Sequence, residues 1–281
     1  MTTTTLTKSS TKGAGQARFN SRRLIDLLSH LYIWFCLLLF VAPFLALFNY
    51  SLQQGTSGIY TLSNYSYIFG SFTNNLLTSL RVSALAISIN LLITLPAAYA
   101  LVRYEFPGKP LLLSAVTLPL YTPAPVLGLG LVLTYNFSYG LITSIWGLVF
   151  AMVVGTFPLM LIPIVVALKD LPLVFEEAAL CLGATRWQTY FKIVLPLIGP
   201  GVSAGILLCF IIVFNEYLVT LFVAPPSVQT APLRVFNLVR TAGIQNTTAA
   251  LAAFMQIVSF TAVILFFRLF GSRYLKGTYL I

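Results

Sequence analysis

Long unbroken apolar runs, separated by short segments that carry most of the charge, set the pattern of this chain. Six runs stand out, at residues 27–48, 76–102, 111–134, 141–168, 197–223 and 248–267. Each is long enough to cross the hydrocarbon core as a helix, which takes ~20 residues. None shows the alternating segments of about ten residues that mark a membrane barrel strand. Lipid offers the backbone no hydrogen bonds, so continuous runs of this kind are predicted to be helices. The pattern therefore predicts an all-α membrane protein with six transmembrane helices, in one domain over residues 27–270. Residues 1–26 are predicted to be disordered, the first 20 being rich in Thr, Ser and Gly. Residues 271–281 read as a short tail. The first run is a poor signal peptide, because no small-x-small cleavage site follows it.

Composition agrees. Of the 281 residues, 58% are hydrophobic and 8% charged, against roughly 25% charged in soluble domains. A soluble enzyme lacks the charged skin it needs here, and a disordered or fibrous chain is excluded as well. The net charge of +10 does not point to nucleic acid, because its placement follows the membrane pattern. Thirteen basic residues lie before the first run, in the loops 103–110 and 169–196, and after the last run; Arg81, Arg234 and Arg240 fall on the other side. By the positive-inside bias both termini are expected in the cytoplasm. The loops 49–75 and 224–246 are then external, the first a cap with interfacial Tyr60, Tyr65 and Tyr67. Cys36, Cys181 and Cys209 are far apart and His30 is the one histidine, so neither a disulfide framework nor a Cys/His metal site is expected.

The cytoplasmic segment 169–196 is too structured for a connector. Asp170 is placed to cap a helix with Pro172 in its first turn and Glu176 and Glu177 near its positive end. Gly183 is predicted to end that helix. A second short amphipathic helix follows over 186–194, with Trp187, Tyr190, Phe191 and Val194 on one face. Cys181 reads as a small apolar filler, and Trp187 and Phe191 as packing anchors.

These residues resemble a known family. Glu177-Ala178-Ala179, three residues, Gly183, nine residues and Ile193-Val194-Leu195-Pro196 match at every fixed position the EAA loop of permease subunits in bacterial binding-protein-dependent ABC importers. Ala97 to Leu101, Arg103 to Lys109 and Asn215-Glu216-Tyr217 also look like that family. The resemblance implies the MetI-like permease fold of six helices and a multi-pass protein of the bacterial inner membrane. It implies a second permease subunit, in a homo- or heterodimer, two cytoplasmic ATP-binding subunits, and a periplasmic or lipid-anchored solute-binding protein. ATP and Mg belong to the partner ATPase, and no cofactor is expected on this chain. Glu176, Glu177, Ala178, Ala179, Gly183 and Ala184 are the expected coupling residues, docking on the ATPase. The phosphate-binding pattern GxxxxGK[ST] is absent: Lys109 follows Gly108, but Arg103 stands where the first Gly belongs.

Within the spans, Tyr121 and Thr122 open a proline-rich break through Pro123 and Pro125, expected to face protein or a wet cavity. Asn215 and Glu216 sit far into the fifth run. An intramembrane acid costs ~2.5–3.5 kcal/mol unless it meets protein or water, so Glu216 is read as lining the solute pathway or as half of a structural pair. Arg81 is expected to snorkel. Pro158 and Pro163 are expected to kink the fourth span, and Gly128, Gly130, Gly201 and Gly205 to be close-packing positions. The expected function is thus an ABC importer permease, with a polyamine the best match among solutes and an anion such as aminoethylphosphonate the alternative. An ATP-independent channel or secondary transporter is the competing class. A membrane-embedded enzyme would need convergent His, Asp or Cys in the spans, which the sequence does not offer.

Overall fold

The computed structural model describes residues 10–55, 58–137 and 144–278. Helix α1 (Ser10–Ser51) is followed by α2 (Ser63–Ser71), α3 (Thr73–Arg103), α4 (Lys109–Tyr121), α5 (Ala124–Phe137) and α6 (Ile145–Asp170). Then come α7 (Val174–Cys181), α8 (Arg186–Thr189), a π-helical segment (Tyr190–Val194), α9 (Leu195–Leu197) and α10 (Gly199–Asn215). Helices α11 (Leu218–Val223), α12 (Ala231–Ala242) and α13 (Asn246–Thr278) complete the chain. The described residues hold no strand, only one bridge between Gln53 and Tyr60. Four helices contain an unbroken apolar span, at Leu27–Ser51, Thr73–Arg103, Ile145–Asp170 and Asn246–Leu269, and two bent pairs bring the number to six where each pair is counted as one span.

The bent pairs correct the sequence reading. The run 111–134 is not one helix: the chain bends by 114° between α4 and α5. Pro123 drives Thr122 into extended backbone, at φ −91° and ψ 125°, because an α conformation before proline is sterically disfavoured. The run 197–223 is broken twice. The helical stretch Arg186–Leu197 turns by 68° into α10, and Glu216, at φ −76° and ψ 125°, separates α10 from α11. The fourth span starts at Ile145, where the Ser144 side chain accepts from the Trp146 N–H; residues 141–143 lie outside the described set. Helix α1 starts at Ser10, inside the segment expected to be disordered, and α13 runs to Thr278 through most of the expected tail.

Helices α3, α6 and α10 form the centre, packed against one another. Between apolar helices in lipid there is little hydrophobic drive, so close backbone approach supplies the attraction. Gly201 and Gly205 provide it. A Cβ on Gly201 would lie 2.6 Å from Ala167 Cβ and 2.7 Å from the Pro163 carbonyl oxygen; one on Gly205 would lie 3.1 Å from the Met160 oxygen. A Cβ on Gly128 would meet Phe222 at 3.2 Å, whereas one on Gly130 would meet nothing within 4 Å. Gly130 is therefore not a packing position.

The same centre holds a buried polar cluster that the sequence reading missed. Asn90 Nδ2 donates to Thr156 Oγ1 at 3.0 Å, and Thr94 Oγ1 donates to Asn90 Oδ1 at 3.2 Å. Thr156 Oγ1 donates to the Met152 carbonyl at 2.7 Å, and Cys209 Sγ to the Thr156 carbonyl at 3.5 Å. Asn90 is fully buried, and its amide ties α3 to α6 at a depth where water cannot replace the bond. A lone amide inside an apolar run is the signal that could have found it.

The end away from α7 is capped by α2 and α12. Asn64 Nδ2 donates to the carbonyls of Ser51 and Gln53 at 2.8 Å each, and Ser51 Oγ and Tyr65 OH are 2.7 Å apart. Ile68 is fully buried beside Phe214 and Leu251. The expected cap is thus a packed helix. Helix α1 stands outside the centre and touches α13, with Phe44 edge-on to Phe260 at 6.2 Å.

Candidate functional site

The segment after α6 folds into two short helices around a sharp turn. Asp170 is the last residue of α6 and caps nothing in α7; Leu173 occupies the cap position, and Pro172 lies before it. Glu176 and Glu177 do fall in the first turn of α7. Gly183 ends the helix with φ +88°. Its N–H donates to the Leu180 carbonyl at 3.0 Å, and the Ala184 N–H reaches the Ala179 carbonyl at 3.0 Å. This pair of bonds is the Schellman arrangement, in which a residue without Cβ takes the left-handed conformation at no steric cost. Thr185 and Gln188 then form a capping box that starts α8.

The two adjacent glutamates have opposite surroundings. Glu176 is 5% exposed, which corrects its assignment to a docking surface. Arg103 Nε donates to Glu176 Oε1 at 2.8 Å, and Arg103 Nη2 lies 2.7 Å from the same oxygen. Tyr99 OH donates to Oε2 at 2.7 Å. Arg103 Nη2 also donates to the Leu171 carbonyl at 3.0 Å. Tyr99 and Arg103 are one helical turn apart on α3, a spacing that places both on one face; the sequence reading gave neither a link to Glu176. Glu177 and Ala178 are exposed, Ala179 is buried, Gly183 is exposed and Ala184 half-buried.

Around Glu177 the surface is apolar. Val174, Phe175 and Leu180 are exposed, and Leu182 is 89% exposed. Trp187, 73% exposed, stacks on Phe191 at 5.7 Å. Both are surface groups rather than the expected packing anchors. Cys181 is exposed as well, on the same surface. The buried face of this second helix is carried by Tyr190 and Val194, which join Leu168 and Ile198 in the core. A cavity of about 230 Å3 lies among Tyr99, Arg103, Glu177 and Arg186.

The residues expected along the pathway are not brought to one place. Tyr121 is 81% exposed at the end of α4, and Thr122 Oγ1 bonds back to the Leu118 carbonyl at 3.0 Å. Asn215 Nδ2 donates to the Ile211 carbonyl at 2.8 Å and to Ser259 Oγ at 3.0 Å, linking α10 to α13. Glu216 Oε1 accepts from the Val219 N–H at 2.9 Å. Its carboxylate therefore caps α11, where the helix dipole favours a negative charge. Asn215 lines a cavity of about 390 Å3 with Tyr217, Phe236 and Gln256, and Tyr217 stacks on Phe236 at 5.1 Å. Among the described residues no group of three His, Cys, Asp or Glu could hold a metal ion.

Residues 90–276 match the family described as "Binding-protein-dependent transport system inner membrane component". The molybdenum transport system permease protein ModB of Escherichia coli (strain K12) is 36% identical over 190 residues, covering 62% of this chain and 83% of ModB. The spermidine/putrescine transport system permease protein PotC of the same strain is 30% identical over 186 residues, covering 66% of this chain and 70% of PotC. Among solved structures, a bacterial ABC transporter involved in the import of the acidic polysaccharide alginate superposes with a TM-score of 0.72 at 15% identity. That match covers 91% of this chain and 97% of the other, and at this identity it shows the shared fold. With the matched region running from the middle of α3 into the last turns of α13, and so including the whole α7 segment, the chain belongs to the inner-membrane permease components of binding-protein-dependent ABC importers.

Proposed function

We propose that this chain is the membrane-spanning subunit of an ATP-driven importer that takes up a small anion, and that α7 is where ATPase motion enters it. The observation that carries the proposal is the α7 surface: an exposed acid, Glu177, ringed by exposed Val174, Phe175, Leu180 and Leu182 on a helix fixed at both ends. Contiguous apolar surface of this kind marks a protein contact. A channel or secondary transporter needs no such surface. In this reading Glu177, Ala178, Gly183 and Ala184 meet the ATPase, while Glu176 and Ala179 hold α7 from behind. ATP and Mg bind the two ATPase subunits, a second permease subunit completes the pathway, and an external binding protein delivers the solute.

The orientation in this reading puts α7 and both termini in the cytoplasm, on the basis of the basic residues at that end. With the chain freed of native cysteines, Ser227→Cys is expected to react with an impermeant thiol reagent from outside, and Thr185→Cys only from inside. Both side chains belong to exposed residues, so the reverse pattern overturns the orientation.

Charge favours an anion over a polyamine. The α12 end carries Arg81, Arg234 and Arg240, and Glu216 is the one acid there. That acid keeps its charge while capping α11, but it is one anion against three cations, and the excess of arginines raises the local concentration of anions. The likeness to ModB supports the same choice, molybdenum being carried in water as an oxyanion; the likeness to PotC supports the polyamine. Vesicles holding the complete complex and its binding protein are expected to take up molybdate when ATP is supplied, and spermidine not at all. Uptake of spermidine in place of molybdate overturns the solute class. Uptake of either without ATP overturns the importer reading.

A further inference from the structure

From the buried Arg103–Glu176–Tyr99 cluster we infer that α7 moves as one body with α3 and α6, so that Arg103 and Glu176 are positioning residues for energy coupling. This rests on the importer reading above and says which spans receive the push.

Three elements meet at Arg103. Its own helix is α3; its Nη2 holds the Leu171 carbonyl at the end of α6; its guanidinium holds the Glu176 carboxylate of α7. The second carboxylate oxygen is taken by Tyr99 OH, again from α3. The side chains of Arg103 and Glu176 are 9% and 7% exposed, so solvent screens the pair little. Sliding α7 against α3 would leave a desolvated guanidinium and a desolvated carboxylate without partners, the arrangement proteins tolerate least. Sliding α7 against α8 breaks no charged contact, because the two helices are joined by the Gly183 turn, and a Cβ at Gly183 would meet nothing within 4 Å. The route from α7 toward α10 also passes through the π-helical segment and the 68° bend. The stiff connection therefore runs to α3 and α6, and the compliant one to α10. Tyr99 packs edge-on against Tyr190 at 5.2 Å, a contact that can slide without leaving a charge unpaired.

The test uses the complete complex with its ATPase and binding protein. Spin labels are placed on Cys181 and on Leu92→Cys, an exposed position of α3, with Cys36 and Cys209 replaced. Their separation is expected to stay the same in the nucleotide-free and ATP-bound states. In the apolar double variant Arg103→Met/Glu176→Leu, which removes both charges together, it is expected to change with nucleotide. Solute taken up per ATP hydrolysed should fall about tenfold in that variant, within the range by which residues along a coupling route act, while the complex assembles in wild-type yield. A purely structural pair predicts recovery of yield and coupling together, and that result overturns the inference. So does a label separation that changes with nucleotide in the parent chain, a measurement that stands even where the double variant fails to assemble. If the parent complex shows no ATP-driven uptake, the importer reading fails by itself, and the label separation still decides whether α7 and α3 move together.

Discussion

Gly201→Leu is expected to prevent stable assembly of the spans. The first added atom alone would sit 2.6 Å from Ala167 Cβ and 2.7 Å from the Pro163 carbonyl, both parts of α6 that cannot rotate away. Overpacking of a well-packed core costs about 1–3 kcal/mol, and a leucine set against backbone belongs at the top of that range or above it. The readout is the yield and thermal midpoint of purified protein in detergent. Gly130→Leu is the matched control, because a Cβ there meets nothing within 4 Å; its midpoint is expected to stay at the wild-type value. Equal midpoints for the two variants would overturn the helix contact.

Glu176→Ala is expected to destabilise the fold where Glu177→Ala does not. Removing the Glu176 carboxylate leaves the Arg103 guanidinium buried with only the Leu171 carbonyl, and breaking a buried pair in this way costs about 3–5 kcal/mol. Glu177 is exposed, and a surface change of this kind stays within about 0.5 kcal/mol. Its loss is expected to appear instead as weaker retention of the ATPase on copurification. The two phenotypes separate an internal strut from a contact surface, and a stable Glu176→Ala protein would remove the strut.

The four unbroken spans were legible in the sequence because lipid imposes one rule, a helix of about twenty apolar residues, and their runs obey it; the other two runs fold as bent pairs. The break at Pro123 was legible as well, since proline removes a donor and restricts its predecessor. Its angle was not, because that depends on what α5 packs against, namely α11. Gly183 was legible through spacing and chemistry together. The difference between Glu176 and Glu177 was not, although both acids were singled out. Neighbouring residues on a helix point about 100° apart, and which one turns inward is decided by Arg103, far off in the sequence. Glu216 was read as pathway or pair, and its role as the cap of α11 was not foreseen; an acid just before a helix start carries that signal, but the apolar run hid the start. Asn90 was passed over because it carries no charge itself, although its amide is the sort of group a membrane interior admits only with partners.

The elbow between α4 and α5 has a further consequence for the bilayer. The arms contain 13 and 14 residues, so each rises about 20 Å, against about 30 Å of hydrocarbon. With a bend of 114° neither arm alone is long enough to cross the hydrocarbon, although the Thr122 N–H stays paired with the Pro119 carbonyl and the Pro123 carbonyl accepts from Val126 and Leu127. Around a lone subunit the bilayer would have to thin to match arms this short. Separating the subunit from whatever covers the elbow therefore deforms lipid as well as breaking contacts, and its cost depends on membrane thickness. The same subunit is better tolerated alone in a thin bilayer than in a thick one.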